Sequence, residues 1–362
     1  MALLNHRSGR RPGFPGACGR IVLLALALAG CGGDYPQSTV DPASDFGAAI
    51  QGLYSTVFWW SMFILALVWS VLAFVLIRYR DRPGRPEPRK TRGHLALEIG
   101  WTAAAAIIVV FISIPTIQTV FRTQRGPTGD ALVVEVVGHQ WWWELRYPEQ
   151  EVVTANELHL PVDRVVELRL SSADVIHSFW VPRLGGKRDL NPWVRRQGES
   201  GPRYNRMRLT LREPGVFHGQ CAEFCGSSHA LMGLRVVAEP EGDFQRWVQG
   251  MKAPAAPEPG SLADRGRLAF MSSVCIACHT IEGTSARGNI GPNLTRLGAR
   301  STIAAGVLEN SPDNLAAWIK DPDRFKPGAK MPGTQEGGGG MPASGLSDEQ
   351  VEAIAAYLSS LQ

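Results

Sequence analysis

Two cysteine clusters carry the chemistry legible in this 362-residue chain. The first is "GQCAEFCGSSHALM", Gly219 to Met232, with two thiols, an imidazole, a thioether and a carboxylate. Thiolate, imidazole and thioether are soft or borderline donors, and that mixture selects copper over magnesium or calcium. Gly226 and the strand-like sequence on either side put these groups in a loop at the end of a β-sandwich, where several ligands can wrap one centre. A further nitrogen donor, His177, lies upstream in "SADVIHSFWVP". A single copper needs one thiolate, so two thiolates suggest two metals bridged by sulfur. A Cys221–Cys225 disulfide beside unrelated histidines is the competing expectation. The second cluster is "CIACH", Cys275 to His279. C-x-x-C-H is the spacing of covalent c-type haem attachment, with two thioether bonds and His279 as one axial ligand. A zinc site would need two more ligands, and no cysteine or histidine follows His279. A methionine opposite the histidine raises a haem potential. Met331 and Met341, each followed by proline, both qualify.

The elements that must position these groups fall into three textures. Leu53 to Ile77 is almost wholly apolar and long enough to cross a bilayer; Ile99 to Ile117 is just long enough. Between them "RYRDRPGRPEPRKTR", Arg78 to Arg92, has only Asp81 and Glu87 as acids. The positive-inside rule puts this connector in the cytoplasm, so the hairpin enters from outside and returns there. From Ala131 to about Ala238 short alternating runs separated by turn residues read as a β-sandwich or barrel. "MKAPAAPEPGS", Met251 to Ser261, is a Pro/Ala linker, and the remainder is helix-patterned. "LSDEQ" begins the last helix with a capping box, Ser347 capping and Gln350 reaching back.

The N-terminus sets the compartment. Arg10, Arg11 and Arg20 precede "IVLLALALAG", the pattern of a secretory signal. "LALAGC" resembles a bacterial lipoprotein signal, which implies that Cys31 is lipidated and becomes the mature N-terminus. Cys18 then leaves with the signal, and four cysteines besides Cys31 remain. A net charge of +4, with no basic block interleaved with aromatics, argues against a nucleic-acid partner.

Together, "IHSFWVP" and "GQCAEFCGSSHALM" resemble subunit II of the haem–copper oxidases. The resemblance implies a binuclear copper A centre. Cys221 and Cys225 bridge both coppers, His177 and His229 bind one each, and Met232 and the Glu223 carbonyl complete the set. It also implies that the Glu223 side chain reaches a magnesium or manganese site shared with subunit I. "GHQWWWELRY" is similar to the family's "GHQWYW", which implies that Trp141 is the electron entry point; Trp142 departs from the tyrosine common there. Glu98 in "LEIGWT" matches a carboxylate at the mouth of a proton path into subunit I, a plain interfacial charge being the competing reading. "WIKDPDRFKPGAKMP" and "GPNL" resemble class I cytochromes c and favour Met331 as the haem ligand. The insertion "WVRRQGESGPRYN" replaces a short turn of the family and bears on contacts with subunit I.

The expected architecture is multidomain: a two-helix transmembrane hairpin, an all-β cupredoxin sandwich and an all-α cytochrome c domain. The expected division is a signal over 1–30, and a hairpin over 31–120 with helices at about 53–77 and 97–118. The copper domain follows over 121–250, a linker over 251–261 and a cytochrome c domain over 262–362. The resemblance implies the electron-entry subunit of a cytochrome c oxidase in the bacterial inner (plasma) membrane, with both soluble domains on the periplasmic side. Its implied partners are oxidase subunits I and III and a c-type cytochrome or other periplasmic donor. Electrons would pass through haem c and copper A to subunit I, where dioxygen becomes water and protons are pumped. A nitric oxide reductase subunit using the same copper domain is the alternative.

Overall fold

Residues 35–84, 92–193, 203–252, 256–335 and 342–362 are described in a computed structural model. Cys31 and Met341 lie outside them. Contacts divide the chain into residues 1–36 and 37–362, and everything below concerns the second unit.

Helices α1 (Asp45–Arg78) and α2 (Leu95–Arg125) form the N-terminal hairpin. Both are long and apolar enough to span a membrane, and their apolar side chains face outward along most of their length. Trp60 of α1 stacks on Phe111 of α2 at 6.5 Å between centroids. The first turns of α1 belong to the soluble part. Ser44 is fully buried; its hydroxyl accepts the Gly47 N–H and donates to the Leu184 carbonyl. Asp45 accepts the Thr210 N–H at 2.7 Å. These contacts fix where the hairpin leaves the β domain.

The β domain is a sandwich of two five-stranded sheets. One runs in the order β3-β2-β1-β5-β8, from Leu132–His139 (β1), Trp142–Tyr147 (β2), Val152–Ala155 (β3), Val165–Ser172 (β5) and Asn205–Thr210 (β8). The other, β4-β10-β9-β6-β7, is built from Glu157–Pro161 (β4), His177–Trp180 (β6), Arg188–Leu190 (β7), Gly215–Cys221 (β9) and Gly233–Glu239 (β10). β1 pairs with β5 and β4 with β10 in parallel, and the other pairs are antiparallel. Burial alternates along β8 and β10, as a half-buried strand requires. Inward residues such as Trp143, Leu145, Leu168, Phe217 and Leu234 form one core. Tyr147 is fully buried, and its hydroxyl both receives the His159 N–H and donates to the His159 carbonyl. Helix α3 (Glu241–Gly250) closes this core with Phe244 and Val248.

The C-terminal domain is mostly helical: α4 (Leu262–Met271), α5 (Cys275–Cys278), α6 (Pro312–Lys320), α7 (Pro322–Phe325) and α8 (Asp348–Ser360). A two-residue hairpin, β11 (Thr302–Ile303) and β12 (Leu308–Glu309), lies between α5 and α6. The capping box of Ser347 and Gln350 is present at the start of α8. α4 crosses α8 at Gly266, where a Cβ would fall 1.8 Å from the Ala353 carbonyl oxygen. Only glycine allows that approach. Phe270, Leu315, Ile319, Ile354 and Leu358 fill the space between these helices.

Candidate metal centre and haem site

The two sheets converge at one end on the copper-type donors. Cys221 is the last residue of β9, Cys225 sits in the loop beyond it, His229 opens a 3₁₀ turn, and Met232 precedes β10. His177 begins β6 and is fully buried. Cys221 and Cys225 are free and buried. Their sulfurs are 3.8 Å apart, nearly twice a disulfide bond length of about 2.05 Å. The competing disulfide therefore does not form here. His177 Nδ1 lies 3.9 Å from the Cys221 sulfur, and His229 Nδ1 lies 3.5 Å from the Cys225 sulfur. Met232 Sδ is 3.8 Å from the Cys225 sulfur, and the Glu223 carbonyl oxygen is 3.2 Å from that of Cys221. The ligand atoms of His177, Cys221 and Cys225 all lie within 4.8 Å of one another, and His229, Met232 and the Glu223 carbonyl each approach one of the two sulfurs. Borderline-soft donors of this kind fit copper.

Electrostatics prepare the thiols. The hydrogen bond between the two thiols, with His177 and nearby backbone groups, holds the Cys221 thiol well below its usual range against the cost of burial. The Cys225 thiol is pushed up by that same hydrogen bond and by burial. Thiols bind metal as thiolates, so loading the site with metal releases protons. Asp174 accepts from His177 Nε2 at 2.9 Å, which leaves Nδ1 aimed at the sulfurs. Burial alone would raise Asp174; bonds from His177 and from the Gln140 and Val175 N–H groups hold it at about 2. Burial likewise opposes charge on His177, but its bonds to Asp174 and Cys221 raise its pKa overall.

Asp174 is a functional residue the sequence reading missed. Its signal was a carboxylate three residues before a candidate histidine. A depressed carboxylate stabilises the fold above its unfolded pKa of about 3.9. That contribution is lost as pH falls from about 4 through the folded value of about 2. Asp174→Asn should therefore flatten acid unfolding in this window. It should also weaken copper binding by about 10- to 100-fold, the usual effect of losing a partner that orients a ligand. Competition with a copper chelator measures the second effect, and unchanged affinity would contradict the assignment.

The other expected residues sit as follows. The Glu223 carboxylate is exposed and pairs with Lys187 at 3.2 Å. Glu98 lies in the first turn of α2, exposed. The tryptophan run is not one strand, because Gln140 and Trp141 form the turn between β1 and β2. Trp143 enters the core with no exposure, and Trp142 stacks on His139 at 4.2 Å. Trp141 is 7% exposed and donates its indole N–H to the Cys225 carbonyl at 3.0 Å. Gln140 donates to the same oxygen at 2.8 Å.

In the helical domain, Cys275 and Cys278 are free and half-buried on α5. His279 is 9% exposed, and its Nδ1 bonds the Pro292 carbonyl at 2.8 Å, so Nε2 is the nitrogen left for an axial ligand. Burial lowers its pKa, which favours the neutral, ligating ring. A Cβ on Gly291 would lie 2.7 Å from His279 Cε1, so "GPNL" keeps the ring in place by close approach. Met331 packs, partly buried, against the same core as Cys275 and Ile276. These donors fit a covalently held haem.

Comparison with known proteins agrees with this arrangement. The family model for the transmembrane domain of cytochrome c oxidase subunit II matches residues 35–119. The model for its periplasmic domain matches 150–239, and the cytochrome c model matches 263–362. Cytochrome c oxidase subunit 2 of Alkalihalophilus pseudofirmus is 38% identical over 94% of this chain and 95% of its own length. The chain belongs to the cytochrome c oxidase subunit II family. Subunit 2 of Bacillus subtilis is 34% identical, with 94% of this chain and 96% of that protein covered. A crystal structure of the periplasmic domain of subunit II from Bradyrhizobium japonicum is 30% identical. It covers 35% of this chain and 96% of its own, at a TM-score of 0.31. As a subunit II, the chain has a β domain of the type that implies copper A and a helical domain that implies haem c. The two apolar helices of the family's transmembrane domain supply its membrane anchor. All six copper-type donors lie inside the periplasmic-domain match, whereas Trp141 lies before its start.

Proposed function

We propose that this chain is the electron-entry subunit of a bacterial respiratory terminal oxidase. The observation that carries the reading is two free thiols 3.8 Å apart, each faced by an imidazole Nδ1, in a subunit II chain that also holds a C-x-x-C-H segment. Cys221, Cys225, His177, His229, Met232 and the Glu223 carbonyl would hold the coppers. Cys275, Cys278 and His279 would hold the haem, with Met331 as the sixth ligand. When bound, these groups supply one-electron chemistry linking a c-type donor to subunit I, where dioxygen is reduced to water with proton pumping.

The chain's residues do the rest. Burial of Cys221, Cys225 and His177 excludes water, which keeps reorganisation small. Asp174 holds the His177 ring, and the Pro292 carbonyl holds that of His279. Trp141 bridges the copper loop and the segment leading to Met331: a Cβ on Gly226 or on Gly328 would each lie 3.0 Å from its indole. That wedge supports Trp141 as the electron entry. Glu223, exposed beside Lys187, offers one carboxylate to the expected magnesium or manganese site and needs subunit I for the others. Glu98 would serve the proton path mouth. With the arginine-rich connector in the cytoplasm, both soluble domains stand on the periplasmic side, next to subunits I and III.

The test is gas consumption by the complex purified through a tag on this chain and fed electrons at its haem. Rapid oxygen uptake that cyanide stops is expected. Steady loss of nitric oxide without oxygen uptake would overturn the oxidase reading in favour of a reductase.

A further inference from the structure

The helical domain is bolted to the β domain by charges that have no business being buried. Glu157 on β4 is 4% exposed, and one of its carboxylate oxygens accepts four bonds from the helical domain. The donors are the Ser301 N–H (2.8 Å) and hydroxyl (2.6 Å), and the Thr302 N–H (3.0 Å) and hydroxyl (3.3 Å). Arg300, beside them and 9% exposed, donates to Thr154 Oγ1 on β3 at 3.3 Å. Lys326 crosses in the other direction. It is 5% exposed and gives its ammonium to the Trp141 carbonyl and to Ala304.

Backbone geometry supports the same seam. Ala304 and Ala305 both take positive φ, 53° and 61°, a conformation that a residue with a Cβ adopts at a cost. Their carbonyls are thereby presented to the seam, where Ala304 receives Lys326 and Ala305 receives the Gly233 N–H at 3.0 Å. A Cβ on Gly233 would lie 2.9 Å from that Ala305 oxygen, so the approach needs glycine. Ser228, next to His229, donates to the Pro327 carbonyl at 2.7 Å. Buried charges and a strained turn persist only where the surroundings hold them. Burial pushes the Lys326 ammonium down to about 7 and the Arg300 guanidinium to about 10. A lysine with no part in the seam would reach water instead.

We propose that Glu157 and Lys326 are positioning residues that clamp the haem-type domain onto the copper loop, reserving Trp141 for the chain's own Met331 segment and shutting it to a separate donor protein. The proposal rests on the function proposed above. Its geometric core is that Trp141 is covered by Gly328, two residues from Lys326, so any loosening of the clamp uncovers the indole. Neither clamp residue bonds a copper donor or a haem donor; the Lys326 charge is felt at Cys225, whereas Glu157 acts through position alone.

The experiment compares the intact complex with Glu157→Gln and Lys326→Met variants, each purified with copper and haem content measured first. Brief hydroxyl-radical labelling followed by peptide mass spectrometry reads oxidation of Trp141. The clamp predicts that labelling rises several-fold or more in each variant while labelling of core Trp143 does not. It also predicts slower electron transfer from haem to copper by roughly tenfold or more, the scale expected when reacting groups lose their alignment. An added soluble cytochrome c should then reduce copper directly, bypassing haem. Variants with full copper and haem, unchanged Trp141 labelling and no bypass would overturn the clamp and leave the electron-entry reading intact. A parent complex lacking copper or haem would instead overturn the reading on which the clamp depends. Should Lys326→Met fail to fold, Glu157→Gln, which keeps an acceptor oxygen and the side-chain shape, carries the test.

Discussion

Cys221→Ser yields a complex that keeps its haem but loses the copper pair. Cys221 is the sulfur best prepared to bind, since the neighbouring thiol and His177 push its pKa down. A serine hydroxyl does not ionise near neutral pH and is a poor ligand for a soft metal. Losing a partner that merely orients a ligand costs about 10- to 100-fold in affinity, so losing a bridging ligand costs more. Copper per chain should fall below one, and turnover should drop by more than about 100-fold. The side chains are similar in size and Cys221 is buried in a well-packed core, so the β domain should still fold. Metal analysis beside circular dichroism checks both parts. A Cys221→Ser complex with the copper of the parent would remove this residue from the ligand set.

The second large effect lies in the helical domain. Cys275→Ala with Cys278→Ala removes both thioether bonds, and no covalent haem should survive denaturing electrophoresis. Cys275, Ile276 and Met331 are partly buried and pack against the domain core. A domain that has lost its haem should become more sensitive to protease at its linker. Copper in the β domain should be retained, because its donors and core belong to a separate cluster. Steady-state turnover with a c-type donor should fall steeply, because a haem no longer tied by its thioether bonds is lost from the domain. Retained covalent haem in the double variant would contradict the attachment assigned to "CIACH".

What the sequence disclosed follows from how local each signal is. The copper donors were legible because five of the six fall between Cys221 and Met232, and His177 shares a short strand with an invitingly placed "IHSFW". The membrane helices were legible from apolar length, although that measure misses the start of α1. The first turn, Asp45 to Ala48, packs into the β domain, where Ser44, Phe46 and Gly47 are buried, and a turn of that kind does not register in an apolar run. The break at Gln140–Trp141 was hidden because the turn carries no glycine, proline or asparagine to mark it. Asp174 was passed over because only the fold shows that its carboxylate meets the far nitrogen of His177. The clamp was the least legible feature. Glu157 looks like an outward strand residue and Lys326 like a solvated charge, and the partner that each meets across the seam lies more than 140 positions away.

The most direct measurement of the central claim is rapid reduction of the fully oxidised complex, followed at the haem and copper absorption bands together. The account predicts that the haem of this chain is reduced first, that the copper band follows from it without added mediator, and that oxygen uptake begins only after both. Copper reduced with no preceding haem phase, or haem reduced with copper left oxidised while oxygen is consumed, would contradict it.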